Sequence, residues 1–334
     1  MPLVVHPHLH RRRTGVTAHV ESVVPALARL GDARVLESRL TGKVLAKALP
    51  RVGWREVWKR SRRSGAVWHA HRNIELLAGL LLRAIGARLK LVFTRHASHR
   101  PSLVTRFLLR RADRVVSLTR PIADAVGLPS MVVAHGVDLE RFHPPADRDA
   151  AWRSLLAGGR YGVGVIGRVR PAKGQGDFAR AFESVAPRFR DWQAVLVGAC
   201  LAGDRAWANA LATPRLALIG EQPDALPWYQ GLTVLVQPSH AEGLSLAFLE
   251  GLAAGCCVVA TRVSDFPSLI DHGRTGFLFA PGDVDGLAEI LSLLLADPAL
   301  AQRIGQAAAQ EARTRFGVER EAAALSAIYR ELAG

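Results

Sequence analysis

Glu242 and Glu250 stand eight residues apart in the run Ser239-His-Ala-Glu-Gly-Leu-Ser-Leu-Ala-Phe-Leu-Glu-Gly-Leu-Ala-Ala-Gly255. An apolar, strand-like stretch, Leu232 to Gln237, and Pro238 precede it, and a helical pattern runs on to Gly255. One carboxylate therefore falls at a loop-to-helix junction and the other about two turns along, at ~3.6 residues per turn. Helix N-termini carry partial positive charge and free N–H groups that bind anions, so a carboxylate beside one is placed to hold sugar hydroxyls. Upstream, Gly167-Arg-Val-Arg-Pro-Ala-Lys-Gly174 combines glycines that allow close backbone approach with the cations Arg168 and Lys173. Cations aimed at a departing diphosphate stabilise the charge that develops as its bond breaks. The plainer readings are a solvated helix face for the glutamates and a basic turn for the second motif.

Two further constellations lie nearer the N-terminus. Arg11-Arg-Arg-Thr-Gly-Val-Thr17 follows a first apolar run, and Gly15 lets backbone approach a phosphate or sugar at the start of the next helix. Thr94-Arg95-His96 ends another apolar run, with His69 and His71 at and after the one before it. Gly162-x-Gly164-x-x-Gly167 matches a dinucleotide fingerprint, but its first two glycines fall inside a predicted strand rather than in the turn after it. No His/Cys set has zinc spacing. The pairs Asp147-Arg-Asp149 and Asp283-Val-Asp285 sit in a predicted linker and at a helix start, so no metal site is expected.

These residues need a scaffold of alternating strands and helices. Leu3–Val5, Ala66–Ala70, Leu89–Thr94, Arg114–Leu118 and Met131–Ala134 read as strands, with His6 to Gly15 as a loop. Helical patterns cover Val16–Leu30, with a kink expected at Pro25, Ile74–Ile85 and Ser102–Arg111. After a Pro- and charge-rich connection a second series begins: Tyr161–Ile166, Ala194–Val197, Arg215–Ile219, Thr233–Val236 and Cys257–Ala260, then helices Val284–Leu295 and roughly Val318–Leu332. Alternation of this kind predicts two α/β halves with parallel sheets and a ligand cleft between them.

The 334 residues suffice for two domains, and 49% hydrophobic with 22% charged residues is an ordinary globular composition. Three cysteines, two of them adjacent, make no metal or redox spacing. No secretory signal and no run long enough to span a membrane is expected. Residues 1–144 carry 26 Lys and Arg against 9 Asp and Glu, and the remainder 18 against 20, so the net charge of +15 belongs to the first half. A one-sided basic surface seeks a polyanion, either nucleic acid or an anionic membrane. Lys43 to Arg63 mixes Leu45, Leu49, Val52, Trp54 and Trp58 with many cations, the composition of an in-plane membrane helix, interrupted at Pro50 and Gly53. No nucleic-acid-binding motif accompanies the charge.

The Glu-x7-Glu run and the Gly-Arg…Lys-Gly run together resemble the retaining nucleotide-sugar glycosyltransferases of family 4. The opening His6-Pro-His-Leu-His-Arg-Arg-Arg-Thr-Gly-Val-Thr-Ala-His19 looks like that of the lipopolysaccharide core mannosyltransferases. The resemblance covers nearly the whole chain. It implies a GT-B fold: an acceptor-side Rossmann-like domain over 1–144, a linker over 145–158, a nucleotide-sugar domain over 159–315, and a C-terminal helix, 316–334, returning to the first domain. It implies that Arg168 and Lys173 clamp the diphosphate, that Glu242 holds the sugar and that Glu250 holds the ribose. Gly15, Gly167 and the backbone of Gly243, Leu244 and Ser245 would face the donor, and His96 would lie near the acceptor or sugar. His135–Phe142 resembles the segment before the linker, and Ile219–Glu221 with Leu226–Tyr229 the base cradle. The family usually has glycine where this chain has Ser245, and alanine where it has Gly251.

The implied donor is GDP-mannose, with no cofactor and no metal required. The implied acceptor is an anionic glycolipid such as the lipopolysaccharide inner core, reached from the cytoplasm by peripheral contact with the inner face of the membrane. A UDP-sugar transferase of the same fold is the alternative. A non-catalytic protein binding sugar nucleotides or polyanions is a further one.

Overall fold

The computed structural model describes residues 2–10, 14–37, 45, 48–243 and 245–334. Contacts divide the chain into two compact units, Met1–Gly136 with Phe316–Gly334, and Val137–Arg315. Each is built around a six-stranded parallel sheet.

The first sheet contains β1 (Leu3–His8), β2 (Ala33–Glu37), β3 (Ala66–Ala70), β4 (Leu89–Arg95), β5 (Arg114–Ser117) and β6 (Met131–Val132), ordered β2-β1-β3-β4-β5-β6. The second contains β7 (Tyr161–Ile166), β8 (Trp192–Val197), β9 (Leu216–Gly220), β10 (Leu232–Gln237), β11 (Cys257–Thr261) and β12 (Phe277–Phe279), ordered β12-β11-β10-β7-β8-β9. Both orders reverse direction once, between β1 and β3 and between β7 and β10. In doubly wound sheets ligands bind outside the carboxyl ends of the strands at such a reversal.

The strands are near-continuous apolar runs because helices cover both faces. In the second unit Val163, Val165, Leu196, Val234, Val236 and Val259 join Phe178, Phe182, Leu287 and Leu291 from the flanking helices in one core. Gly162 and Gly164 lie on β7, where an added methyl group would strike Trp152 and Val195, so these two glycines are packing positions.

The first unit closes with the last helix of the chain. Helix Gly15–Leu30 buries Val20, Val23, Val24 and Leu27, an i, i+3, i+4, i+7 stripe. Helix Val318–Ala333 meets the same core through Val318, Ala322, Leu325, Ile328 and Tyr329. Between them lies the buried carboxylate of Glu321. It accepts hydrogen bonds from His19 Nε2 at 2.7 Å and the Gly136 amide at 2.8 Å, and His135 Nδ1 stands 3.4 Å away. Burial alone would raise the Glu321 carboxyl, but His19 and His135 outweigh it and hold the group well below the usual carboxylate range.

Three details depart from the sequence reading. The first strand continues through His8, since His6 and His8 pair with β2 and are buried, so the loop begins only after them. The stretch 145–158 carries a helix, Arg148–Ser154, capped by the Asp147 carboxylate and anchored by buried Trp152. In the basic run, residues 43, 44, 46 and 47 lie outside the described residues. Leu45, Leu49 and Val52 point into the first unit's core, and helix Trp54–Ser64 leaves only Trp54 strongly exposed among the five apolar anchors. Those buried side chains are not available to lipid. No helix among the described residues is long and apolar enough to cross a membrane.

Removing the Glu321 carboxylate strands two buried imidazoles and an amide. Glu321→Ala is expected to cost about 3–5 kcal/mol in urea unfolding, whereas truncating the exposed Glu319 nearby should cost almost nothing.

Candidate functional site

In the second unit the reversal lies between β7 and β10, and the loops leaving these strands are Gly167–Gly174 and Pro238–Ser245. They approach closely because Gly174 has no side chain. Its φ is +70°, and a methyl group there would lie 1.9 Å from the Pro238 carbonyl oxygen. The His240 amide donates to Ala172 O at 3.3 Å, and His240 Nε2 lies 2.6 Å from Asp177 Oδ2. Gln175, buried at the start of helix Gln175–Val185, donates to Arg168 O at 2.9 Å and so shapes the turn that carries Arg168.

Across this junction Lys173 Nζ forms an ion pair with Glu242 Oε1. Ser239 Oγ donates to the same carboxylate oxygen at 3.0 Å. Both charged groups are mostly withdrawn from solvent yet reachable, at 21% and 12% side-chain exposure. Each cancels the other's charge.

That helix, Leu246–Ala253, starts at Ser245, whose Oγ accepts from the Phe248 amide at 3.4 Å. Where the family's glycine would be, this chain has a helix cap. Gly251 has a packing reason too, since a methyl group there would stand 2.1 Å from Leu235 Cδ2. Glu250 lies half-buried on this helix and hydrogen-bonds the Tyr229 hydroxyl. Burial, then Glu250, pushes the Tyr229 phenol well above its ordinary range, so it stays protonated as a donor. Ser264 Oγ donates to Gly243 O at 2.7 Å and holds the loop from behind. Leu244 lies outside the described residues, as do Arg11 to Arg13.

The other expected residues lie in the first unit. Gly15 opens helix Gly15–Leu30, and nothing stands within 4 Å of where its methyl group would be. The preceding Thr14 is braced by Thr17 Oγ1, at 3.1 Å from its amide, and by Arg72, whose Nη2 donates to Thr14 Oγ1 at 2.6 Å. His96 follows β4, mostly buried, with Nε2 3.1 Å from His71 Nδ1. His71 Nε2 is in turn 3.2 Å from His6 Nδ1. His69 is buried and tied to Tyr329 at 2.5 Å and Thr94 at 2.7 Å. Burial, followed by neighbouring positive groups, pushes His6 down to about 3 and drives His69, His71 and His96 well below the ordinary histidine value.

Sequence reasoning missed Asp177, His240, Glu321 and the side chain of Tyr229, because what marks them is a partner distant in the chain; it missed Ser239 although Glu242 lies only three residues on. The Asp-x-Asp pairs are helix caps: Asp147 accepts from the Ala150 amide and Asp283 from the Gly286 amide.

Comparison with known proteins follows the same lines. Residues 160–297 match the family described as Glycosyl transferases group 1. The chain is 36% identical, over 99% of its own length and 97% of the other's, to the lipopolysaccharide core biosynthesis mannosyltransferase LpcC of Rhizobium leguminosarum bv. viciae. It is 31% identical, over 72% of its length and 70% of the other's, to the GDP-mannose-dependent alpha-(1-6)-phosphatidylinositol monomannoside mannosyltransferase of Mycolicibacterium smegmatis. Its fold matches that of Anabaena HepE, crystallised with UDP and glucose, at a TM-score of 0.82 over 99% of this chain and 100% of that one, with 19% identity. The two parallel-sheet units are those of the GT-B fold. The chain belongs to the group 1 glycosyltransferase family and is a glycosyltransferase.

The buried histidines make stability depend on pH. His6 near 3, with His8 and His135 each near 4, stay neutral in the fold, whereas in the unfolded chain each takes up a proton near 6.5. Their contribution is therefore complete above pH 6.5 and is lost as pH falls from there toward 4, at ~1.4 kcal/mol per pH unit for each group. Thermal unfolding in chelator-containing buffer should show a flat Tm above that window and a steep decline within it. A Tm insensitive to acid over the same range would contradict the assignment of neutral imidazoles.

Proposed function

We propose that this glycosyltransferase moves mannose from GDP-mannose to an anionic glycolipid of the lipopolysaccharide inner-core kind, with retention of anomeric configuration. The observation that carries the reading is the Lys173–Glu242 pair where the β7 and β10 loops meet, with Arg168 on the same turn and Glu250 one helix further on. The donor belongs to the second unit and the acceptor to the basic first unit.

In this mechanism Arg168 and Lys173 take the diphosphate, and its arrival replaces Glu242 as the partner of Lys173. Gly167 lets backbone approach the phosphates, and the amides of Gly243, Leu244 and Ser245 meet them at the start of the next helix. Glu242, released, accepts from sugar hydroxyls, while Glu250 accepts from the ribose. The bond from the anomeric carbon to the diphosphate oxygen breaks with its electron pair going to phosphate, where the two cations stabilise it. The acceptor oxygen bonds to the same face of the anomeric carbon, and its proton passes to the departing phosphate oxygen. Of the first unit's residues, His96 serves the acceptor or sugar, and Gly15 lets backbone approach the donor. The reaction needs no metal, because the cations neutralise the leaving group themselves.

The mannose and lipid parts of the reading draw on the two mannosyltransferases that the chain resembles. The enzyme works peripherally at the inner face of the cytoplasmic membrane. The surface for that contact is a pair of packed helices, Asn73–Ala84 and Leu103–Leu109, rather than the basic run near Trp54. Ile74, Leu77, Leu81, Leu103, Val104 and Phe107 are all exposed on them, Leu103 at 85%, among Arg83, Arg106, Arg110 and Arg111. Apolar side chains interspersed with arginines suit an anionic lipid surface.

Donor choice is tested by thermal shift with GDP-mannose, UDP-glucose and UDP-N-acetylglucosamine. At a hundredfold excess over Kd the correct donor should stabilise the fold by ~2.7 kcal/mol, and Lys173→Ala or Glu250→Ala should abolish the effect. Preference for a uridine donor would keep the mechanism and discard mannose. No response to any of the three would remove the donor-site assignment.

The lipid surface is tested by co-sedimentation with phosphatidylglycerol and phosphatidylcholine vesicles. Leu103→Asp combined with Val104→Asp should abolish binding to the anionic vesicles and change Tm little, because these side chains are 85% and 68% exposed. Unaltered binding by the double variant would rule out this face.

A further inference from the structure

Six imidazoles gather around the carboxyl ends of β1, β3 and β4, at the reversal of the first sheet: His6, His19, His69, His71, His96 and His135. The proposed transfer reaction uses only His96. Among the described residues, three combinations bring ligand atoms within 4.8 Å of one another: His6–His69–His71, His19–His71–His96, and His19–His135–Glu321. The first would have to break both hydrogen bonds of His69, and the third would have to dismantle the carboxylate contacts that hold the last helix.

The middle set would give up the 3.1 Å His71 Nδ1–His96 Nε2 hydrogen bond, but it contains a nitrogen that has nothing to lose. His19 Nε2 is committed to Glu321 at 2.7 Å, while its Nδ1 is buried with no hydrogen-bond partner. The His19 ring is 5.3 Å from that of His71 and 5.4 Å from that of His96, meeting both edge-on. A carboxylate behind an imidazole whose other nitrogen is free is the arrangement that orients a histidine toward a metal ion. Glu321 also supplies nearby negative charge, while the neighbouring cation Arg72 is paired with Glu75 at 3.4 Å. His96 is part-exposed while His19 and His71 are buried, so His96 marks the side open to solvent.

We propose that His19, His71 and His96 bind a single divalent cation of the zinc class, with Glu321 holding His19 in position. Three imidazole nitrogens are a ligand set that such cations accept, with a further coordination position left for water or a substrate oxygen. The site is separate from the donor loops and does not depend on the choice of sugar or nucleotide.

The full chain, stripped with chelator, is titrated with Co²⁺ and then with Zn²⁺ at neutral pH. One equivalent of Co²⁺ should bind with the visible absorption of a four- or five-coordinate ion, and Zn²⁺ should bleach it. His96→Gln and His19→Gln should each weaken binding at least ~10-fold, and Glu321→Gln by a comparable ~10-fold. His99→Gln, at an exposed surface position, should leave it unchanged. His96 is part-exposed, so its variant should fold even where the His19 and Glu321 variants do not. Binding that is not saturable, that survives His96→Gln, or that is lost in His99→Gln would overturn the site. Lys173→Ala, in the second unit, should lose donor binding and keep Co²⁺ binding, so failure of one reading is distinguishable from failure of the other.

Discussion

The second unit depends on one close approach. β7 and β10 are neighbours in the sheet although about seventy residues separate them in the chain, and the loops that leave them must pass without clashing. A methyl group on Gly174 would sit on the Pro238 carbonyl oxygen, so its absence lets helix Gln175–Val185 start directly beneath the β10 loop. The paired charges at the start of that helix follow from this contact. It brings Lys173 to Glu242 and His240 to Asp177, and leaves the cation and the carboxylate each neutralised by the other. On the proposed reading the site rests in a paired state, and an incoming diphosphate exchanges one anion for another instead of entering against an unsolvated positive charge. Such an exchange limits the desolvation penalty of holding Lys173 where water is scarce.

The first unit is organised around a charge of the opposite kind. Glu321 is a carboxylate sealed among histidines, kept ionised by its neighbours although burial opposes it. His6 and His135 stay neutral chiefly because burial penalises their charged form. Hydrogen bonds to ring nitrogens then link β1, β3 and β4 through side chains as well as through the backbone ladder. The network is incomplete, because ring nitrogens of His6, His8 and His19 are buried without a partner.

Much of the scaffold was legible from residue order. Strands such as Tyr161–Ile166 and Cys257–Thr261 announce themselves as short apolar runs between turn residues, and helix Val284–Ala296 by its period. The fold class and the enzyme class followed from the runs around Lys173 and Glu242. Legibility failed where meaning lies in a distant partner. Nothing in His6-Pro-His8 distinguishes a solvated loop from a buried strand until β2 is laid beside it. Leu45 and Leu49 looked like lipid anchors because the core that takes them is built from residues up to Tyr329. Conversely, the exposed stripe on helix Asn73–Ala84 reads in sequence as an ordinary core-facing helix, and only its burial pattern says otherwise. Ser245 and Gly251 departed from the family pattern without visible reason, and the Phe248 amide and Leu235 supply one for each.

The first unit is discontinuous: its sheet is complete by Val132, yet the helix that supplies Glu321, Leu325 and Tyr329 comes only after the whole second unit. During synthesis, therefore, β1 to β6 emerge with His19 lacking its carboxylate and with the apolar stripe of helix Gly15–Leu30 uncovered. The second unit, contiguous from Val137 to Arg315, has every strand it needs before the final helix leaves the ribosome. Closing the first unit is a loop closure across some three hundred residues, a contact of very long sequence separation that folds late. The nascent chain should thus fold its later half first, and its aggregation hazard should lie in the interval before the last nineteen residues arrive.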